Sequence, residues 1–272
     1  MNATTATGSK GLTISMIAAL VALASTRMIA SPEADGAAAA VVLLAALVSS
    51  IAGFAFAVIA GSALAYLRFD PVQAVTTMAL CSIAMQAYAV WQLRASIRWR
   101  GLAPMLAAGA LTTPLGVAIL IHIDARLYAT VLGAIVVGYG AYALLRRQGR
   151  PVRAAAWHDV LAGALGGVVG GLSGAPGLVV TIWCSMRGWD KLRQRAVYQP
   201  FILAMQVVTI ACLRLQGARS LHVLQDLRFI PFAVLGGIAG FALYQRMTNR
   251  QFHAAVSALL MVSGLGLLSR PL

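Results

Sequence analysis

The chain has 272 residues, of which 60% are hydrophobic and only 10% are charged, and its mean hydropathy is +0.84. This composition excludes an ordinary soluble domain, and the continuous apolar blocks exclude a transmembrane β-barrel, whose strands alternate apolar and polar residues. The net charge of +14 comes from arginines clustered between the apolar blocks, which indicates membrane topology rather than nucleic-acid binding. We therefore expect a polytopic all-α membrane protein that partners the lipid bilayer and no nucleic acid.

The first apolar block, residues 12–30, follows Lys10 and precedes Ser31. A secretory cleavage site before Ser31 would prefer a small residue where Met28 stands, so we expect a retained first helix rather than a signal peptide. Residues 1–36 then comprise this N-terminal helix and an outer loop.

Eight further apolar blocks follow, at residues 37–67, 74–93, 101–121, 127–145, 160–186, 196–213, 229–245 and 252–268. The blocks 37–67 and 160–186 are too long for a simple span, because at about 1.5 Å per residue each would run on the order of 40 Å or more through about 30 Å of hydrocarbon. Each long block opens a set of four, which indicates two similar units.

An internal repeat relates the two units. The stretch AMQAYAVWQLR (84–94) aligns without gaps with AMQVVTIACLR (204–214) at an offset of 120 residues, and five of the eleven positions are identical. The same offset pairs Asp70 with Asp190. Ordered matches of this kind indicate a duplicated unit.

The distribution of basic residues favours hairpins in the two long blocks. If all nine blocks are simple spans, 12 of the 21 Lys and Arg residues lie on one face and 9 on the other; if each long block enters and leaves on one face, the distribution is 14 against 7. The positive-inside rule therefore favours re-entrant hairpins, which make the repeats inverted and place loops 94–100, 146–153 and 187–195 in the cytoplasm. Two long tilted spans with parallel repeats are the alternative. The domains assigned in this way are the first transmembrane repeat at 37–146, a basic cytoplasmic linker at 147–157 and the second transmembrane repeat at 158–272.

The sequence GGLSGAPG (170–177) predicts a break inside the second long block. In a helix interior glycine costs about 1 kcal/mol and proline about 3 kcal/mol relative to alanine. Non-helical backbone at membrane depth persists only where protein or a water-filled cavity covers it. A break frees amides at the start of the second half-helix, expected near Gly177, where the helix dipole favours an anion. The alternative is that the glycines only allow close helix packing.

The predicted anion site combines the broken segment with polar residues at matching positions of the repeat. Gly53 lies over Gly174 at an offset of 121, and the equivalent residues Gln86 and Gln206 either face a shared centre or bond neighbouring helices. The threonines of TTPLG (112–116) either line the path or bond the preceding turn, and Thr76, Thr77 and Gln199 are weaker candidates. The predicted substrate-binding residues are Ser173, Gly174, Ala175, Pro176, Gly177, Ser49, Ser50, Gly53, Gln86, Gln206, Thr112 and Thr113.

Carboxylates and cysteines give no sign of a cofactor or a metal. Five aspartates fall at the ends of blocks, where caps and loop contacts are expected, and Asp35 stands in the outer loop, so no span carries a central carboxylate; the five are Asp70, Asp124, Asp159, Asp190 and Asp226. The three cysteines fall within apolar blocks without paired spacing and are expected to be small buried residues; they are Cys81, Cys184 and Cys212.

With these motifs in order, the chain resembles the TauE/SafE family of sulfite-exporter-like membrane permeases over about residues 40–268. The resemblance rests on GALGGVVGGLSGAPGLVV and RGWDKLRQRAV in the second half, and on GFAFAVIAG and TTPLGVAILIHIDARLYATVLG in the first. It implies transport, often export, of small sulfur-containing or organic anions. The first-half motif SSIAGFAFAVIAGSAL has fewer glycines and no following proline, so residues 170–177 are expected to be the dominant half-site.

We therefore expect a secondary transporter of the bacterial inner membrane that exports a small anion such as sulfite or an organosulfonate by alternating access. It is expected not to be an enzyme and to need no cofactor; a passive anion channel is the alternative. GLSGA (171–175) also matches the GxSG of rhomboid proteases, which would make Ser173 a nucleophile, but the late histidine His253 stands beside Arg250 without the expected small-residue pattern. The cargo, the transport direction, the coupling ion and the oligomeric state, a homodimer included, are left open.

Overall fold

The computed structural model describes residues 32–52, 56–67, 69–145, 155–218 and 223–244, and these residues form helices and short turns, with no strand among them. The helices are α1 Pro32–Ala52, α2 Phe56–Tyr66, α3 Pro71–Leu93, α4 Trp99–Leu120, α5 Ala125–Leu145, α6 Ala156–Ser173, α7 Gly177–Met186, α8 Lys191–Leu215, α9 Val223–Asp226 and α10 Ile230–Tyr244, with a 3-10 turn at Leu227–Phe229 between the last two. The expected N-terminal helix 12–30 and the last apolar block 252–268 lie outside the described residues.

Among the described residues, four helical segments are long and apolar enough to cross a membrane: Pro71–Leu93, Trp99–Leu120, Leu192–Leu215 and Val223–Gly240. Shorter apolar helices lie at Gly36–Ser50, Ala125–Ile135 and Gly177–Met186. Large apolar side chains remain exposed along these helices, for example Leu111 at 81% on α4, as expected of surfaces that face lipid. The chain is therefore a multi-pass helical membrane protein, and this prediction is confirmed.

Aspartate side chains cap the N-termini of two corresponding helices of the predicted repeats. The carboxylate of Asp70 accepts hydrogen bonds from the amides of Val72 (2.9 Å) and Gln73 (3.3 Å) at the start of α3. Asp190 likewise accepts from the amide of Arg193 at 2.9 Å at the start of α8. Such side chains satisfy amides that have no partner within the helix. The cap interpretation of these two aspartates is confirmed.

Asp226 departs from that interpretation. It is fully buried, at the end of α9, and both α9 and the following 3-10 turn pack against α3. The sequence predicts that residue 226 lies in a loop before the block 229–245, whereas helical structure already begins at Val223. The helical segment before that block brings the carboxylate into the protein interior.

The second long block is two helices that fold back on each other. α6 ends at Ser173 and α7 begins at Gly177. A Cβ atom placed on Gly166 of α6 would lie 3.2 Å from Cγ2 of Val180 of α7, so the two helices run side by side away from the break. The predicted break and hairpin are confirmed for this block, and a single long tilted span is excluded.

The first long block also contains two described helices. It forms α1 and α2, which pack against each other, and the residues between them, 53–55, lie outside the described part. α1 begins at Pro32, before the expected start at residue 37.

The first helix of each long block packs against a distant helix through glycines. On the α4–α6 interface, a Cβ on Gly116 would overlap the carbonyl oxygen of Val168; on the α1–α10 interface, a Cβ on Gly236 would overlap the carbonyl oxygen of Leu43. The backbones can approach this closely only because glycine has no side chain. These two interfaces hold corresponding places in the predicted repeats. The inverted orientation of the repeats and the domain boundaries stay predictions.

Candidate functional site

The helix break is fixed by the backbone of Gly174. This residue has φ +70°, in the left-handed region that side chains with a Cβ rarely adopt, and its amide donates to the carbonyl oxygen of Gly170 at 2.8 Å. Pro176 stands immediately before the first residue of α7, Gly177, where the missing amide hydrogen leaves no helical bond unmade. Local glycine and proline chemistry thus ends one helix and begins the next within three residues, Gly174 to Pro176.

The break lies in the interior of the helical bundle. The residues from Gly174 to Gly177 are all buried, and a Cβ on Gly174 would lie 3.1 Å from Cε of Met78 on α3. Non-helical backbone therefore lies where protein covers it, as the membrane requires.

Gln206 of α8 bonds the broken segment directly. Its side-chain Nε2 donates to the carbonyl oxygen of Gly174 at 2.8 Å, and only 1% of the residue is exposed. Its Oε1 is buried and has no hydrogen-bond partner in the described part of the chain. The Nε2 atom of Gln206 thus bonds the broken segment, and its Oε1 atom can accept a hydrogen bond from a donor that the described residues do not supply.

A small cavity, which we call the central cavity, lies between the break and the helices α1, α2, α3 and α8. Its volume is about 10 Å³, room for about one water molecule. Its lining residues are Ser49, Phe56, Ala57, Ser82, Gln86, Gly174, Ala175, Pro176, Gly177, Ile202 and Gln206. Seven of the twelve predicted site residues therefore come together in space.

Sequence reasoning missed four of the lining residues. Ser82 and Ile202 each stand one helical turn before a glutamine, Gln86 and Gln206, and that spacing could have found them. Phe56 and Ala57 begin α2, and no polar or Gly/Pro signal singles them out.

The cavity has no charged lining residue, so its electrostatics come from backbone and amide dipoles. α7 begins at the cavity with Gly177 and has ten residues, enough for a helix dipole whose N-terminal end carries about half a positive charge. In the first turn of α7, the amide of Leu178 donates to the carbonyl oxygen of Ala175 at 3.3 Å. The amides of Gly177 and Val179 are the other donors of that turn, and together with serine hydroxyls they can hold a small anion.

The remaining predicted residues lie elsewhere. Ser173 is buried and donates from Oγ to the carbonyl oxygen of Val169 at 2.7 Å. Ser50 is half-buried on α1, its Oγ 3.4 Å from where a Cβ on Gly237 of α10 would lie, and Gly53 falls outside the described residues.

The two threonines of α4 face other helices. Thr112 donates to the carbonyl oxygen of Ala164 at 2.7 Å across the α4–α6 interface. Thr113 donates to the carbonyl oxygen of Gly109 at 2.8 Å, one turn back on its own helix, and lies 3.5 Å from the sulfur of Met205. Neither lines the cavity, so a role of these hydroxyls in a path stays a prediction.

A second, larger cavity of about 360 Å³ lies at one end of the bundle. It is bounded by the start of α3, the end of α4 and the turn after α8, and Asp70 is its charged lining residue. It lies apart from the broken helix, so its size does not make it the candidate site.

No group of three or more His, Cys, Asp or Glu side chains that could hold a metal ion occurs in the part of the chain that the structure describes. The three cysteines are free and buried. The candidate site is therefore built from backbone amides, hydroxyls and side-chain amides.

A multi-pass helical protein with an interrupted helix buried at the centre of its bundle has the architecture of a membrane transporter. The sequence pattern described as "Sulfite exporter TauE/SafE" matches residues 38–267, so the chain belongs to this family of transporters, as its motifs predicted. Comparison with curated proteins and with solved structures gives no match.

Proposed function

We propose that this protein is a secondary transporter that exports a small sulfur-containing anion, sulfite or an organosulfonate, by alternating access. The observation that carries the proposal is the buried break between α6 and α7, where the start of a helix, two serines and two glutamines meet at one cavity. Family membership supports export of sulfite-like anions.

The anion is held without a fixed positive charge. The amides at the start of α7, of which that of Gly177 lies at the cavity, donate to its oxygens, and the hydroxyls of Ser49 and Ser82 complete the coordination. The dipole of α7 compensates part of the negative charge, and exclusion of bulk water strengthens each of these interactions. A site that uses partial charges binds the anion weakly enough to release it on the other side of the membrane.

The cavity must enlarge during transport. At about 10 Å³ it admits a water molecule and not a sulfite ion, so the site is too small for the anion in this conformation. Movement of the α6–α7 hairpin relative to α8 opens the cavity, and the hydrogen bond from Gln206 to Gly174 is the contact that such a movement exchanges. This requirement favours an alternating-access carrier over a passive channel.

The orientation proposed is that of the bacterial inner membrane, with loops 94–100, 146–153 and 187–195 in the cytoplasm and the two repeats inverted. Fourteen of the 21 basic residues then lie on the cytoplasmic face. The broken segment of α6 and α7 enters from this face.

A serine protease mechanism finds no support in the geometry of Ser173. Its hydroxyl donates to the carbonyl oxygen of Val169. The described histidines, His122 and His158, have Nδ1 within hydrogen-bond distance of the carbonyl oxygens of Ala118 (2.6 Å) and Ala155 (3.2 Å). In the described part of the chain, no histidine is therefore bonded to Ser173 as a general base, and His253, the histidine weighed in the sequence analysis, lies outside the described residues.

Purified protein in vesicles tests the proposal. An outward gradient of sulfite, sulfoacetate or a simple carboxylate is imposed, and flux is compared with that through empty vesicles. We expect saturable flux of the sulfur-containing anions, and substrate-induced thermal stabilisation of the protein. Non-saturable flux that persists as a steady conductance would favour a channel, and absence of flux for every anion would contradict the proposal.

A further inference from the structure

We propose that an inner subsite for the same anion lies between α7 and α8, formed by Thr181 and Gln199, and that the anion travels through it between the central cavity and the cytoplasmic face. The inference rests on the proposed function. Its structural basis is a line of residues on one face of α8, Arg195, Gln199, Ile202 and Gln206, which we name the α8 stripe.

The stripe follows from helical spacing. Its members are separated by four, three and four residues, so they lie on one face of α8. Ile202 and Gln206 line the central cavity, and Gln199 is one turn further toward the start of the helix.

Thr181 lies at the same level on the facing helix. α7 and α8 pack against each other and are joined by a short turn, so they run in opposite directions. Gly177 lines the cavity, and Thr181 is one turn beyond it, toward the same end of the bundle as Gln199. The two polar side chains thus follow the cavity on neighbouring helices.

Both side chains are buried without the partners that buried polar groups require. The Oγ1 atom of Thr181 and the Oε1 atom of Gln199 are fully enclosed, and neither has a hydrogen-bond partner in the described part of the chain. An unpaired polar group in an apolar interior lowers stability, so its presence calls for a role. The hydroxyl of Thr181 and the Nε2 group of Gln199 can donate to an oxyanion that passes between the helices, whereas the Oε1 atom of Gln199 only accepts and pairs with a donor such as a water molecule that accompanies the anion.

In the other predicted repeat, the two corresponding positions of α3 are apolar. At an offset of 120 residues, Gln199 corresponds to Ala79 and Arg195 to Val75, whereas Gln206 corresponds to Gln86. The glutamine at the cavity thus occurs in both halves, but at the two positions beyond the cavity a polar residue occurs only on α8; the buried polar residues Thr76 and Thr77 of α3 lie at other positions. Helix packing alone does not demand it, since α3 packs with alanine and valine at those positions.

Positive charge lies at the end of the stripe. Arg195 is half-buried one turn before Gln199, and three further basic residues stand in the preceding turn and first turn of α8; these are Arg187, Lys191 and Arg193. A cluster of one sign attracts anions to the mouth of a path. The anion would therefore move from the basic cluster through the inner subsite to the cavity, or in reverse order.

The first experiment separates transport from stability. Gln199→Leu removes an unpaired buried amide, so we expect a higher unfolding temperature in detergent, together with sulfite flux lowered at least about tenfold and sulfite-induced stabilisation within about twofold of wild type. Thr181→Val is expected to act in the same direction. Gln92→Leu, on an exposed amide bonded to Tyr88, is the matched control and should leave flux unchanged. Wild-type flux in Gln199→Leu, or a lower unfolding temperature together with lost flux, overturns the proposal, since the second result identifies a structural role.

The second experiment needs no transported anion. In a background with Cys81, Cys184 and Cys212 replaced by alanine, a cysteine at position 199 is exposed to a membrane-impermeant thiosulfonate from each side of sealed vesicles. We expect Gln199→Cys to react from the cytoplasmic side and Met205→Cys, in the apolar core, to stay unreactive from both sides. Reaction from the outer side only, or no reaction from either side, overturns the proposed route through the inner subsite. If wild type transports no anion, the proposed function fails while cytoplasmic labelling still supports the path, so the two failures are distinguishable.

Discussion

The Nε2 atom of Gln206 on α8 lies 2.8 Å from the carbonyl oxygen of Gly174, the residue that follows the end of α6. This hydrogen bond joins a continuous helix to the interrupted one at the wall of the central cavity. The position of the break relative to α8 therefore depends on one buried amide, and its chemistry can be changed without altering the surrounding apolar contacts.

Gln206→Leu is expected to lower both stability and transport. The substitution leaves the carbonyl oxygen of Gly174 without its donor, which costs about 1–3 kcal/mol for a buried group. Sulfite-induced stabilisation should be lost and flux should fall by about tenfold or more. Thermal unfolding in detergent and vesicle flux measure the two effects. Gln92→Leu, on an exposed surface of α3, is the control; equal flux in both variants would remove Gln206 from the site.

Gly174→Ala tests the left-handed backbone at the break. A Cβ at φ +70° is strained, at roughly 1–2 kcal/mol, and here it would also press on Cε of Met78. We expect reduced stability, membrane insertion as in wild type, and loss of flux.

Gly217→Ala is the matched control for that variant. Gly217 has nearly the same backbone, φ +66°, but nothing lies within 4 Å of a Cβ there. It should lose similar stability while keeping its flux. If both variants lose flux to the same extent, backbone strain alone explains the loss in Gly174→Ala. If both variants keep their flux, the break is not the binding element.

Glycine and proline made the break predictable from sequence, because their backbone preferences act locally. The end of α6 at Ser173 and the start of α7 at Gly177 follow from the residues between them. The partner of the break, Gln206, was reachable through the repeat, which pairs it with Gln86.

Other parts of the site depend on packing that one sequence does not reveal. Thr112 and Thr113 are adjacent and both meet carbonyl oxygens of the preceding turn, yet only Thr112 also meets a carbonyl oxygen of α6, because the position of the neighbouring backbone decides which further acceptor a hydroxyl meets. Asp226 stands in a polar stretch that reads as a loop, and only the packing of α9 against α3 buries it.

The glycine interface between α4 and α6 is expected to tolerate no added methyl group. A Cβ on Gly116 would overlap the carbonyl oxygen of Val168, so Gly116→Ala must separate the two helices and should destabilise by about 1–3 kcal/mol. Gly101→Ala, on the same helix with no atom within 4 Å, should be neutral or stabilise by up to about 1 kcal/mol. Thermal unfolding of the two variants measures the difference. Equal unfolding temperatures would mean that α4 and α6 do not pack through this surface.

A second contact, between Trp183 and Asp159, joins α6 and α7 at the end of the hairpin that lies away from the break. The indole Nε1 donates to Oδ1 of Asp159 at 2.6 Å, and the ring of His158 stacks on Trp183 with centroids 5.8 Å apart. Trp183→Phe keeps an aromatic ring but removes the donor to a carboxylate, a bond worth about 1.5–3 kcal/mol. We expect a lower unfolding temperature and faster proteolysis in the turn after α7, measured on inside-out vesicles.

Trp99→Phe supplies the control for this variant, because Trp99 is exposed at the start of α4 and the same ring change there should leave both readouts unchanged. Anion-induced stabilisation should survive in Trp183→Phe, since the contact lies at the opposite end of the hairpin from the break. Loss of the anion-induced stabilisation would show that the Trp183–Asp159 contact and the cavity are coupled. The helices α6 and α7 would then have to move as one rigid unit rather than separate at this contact.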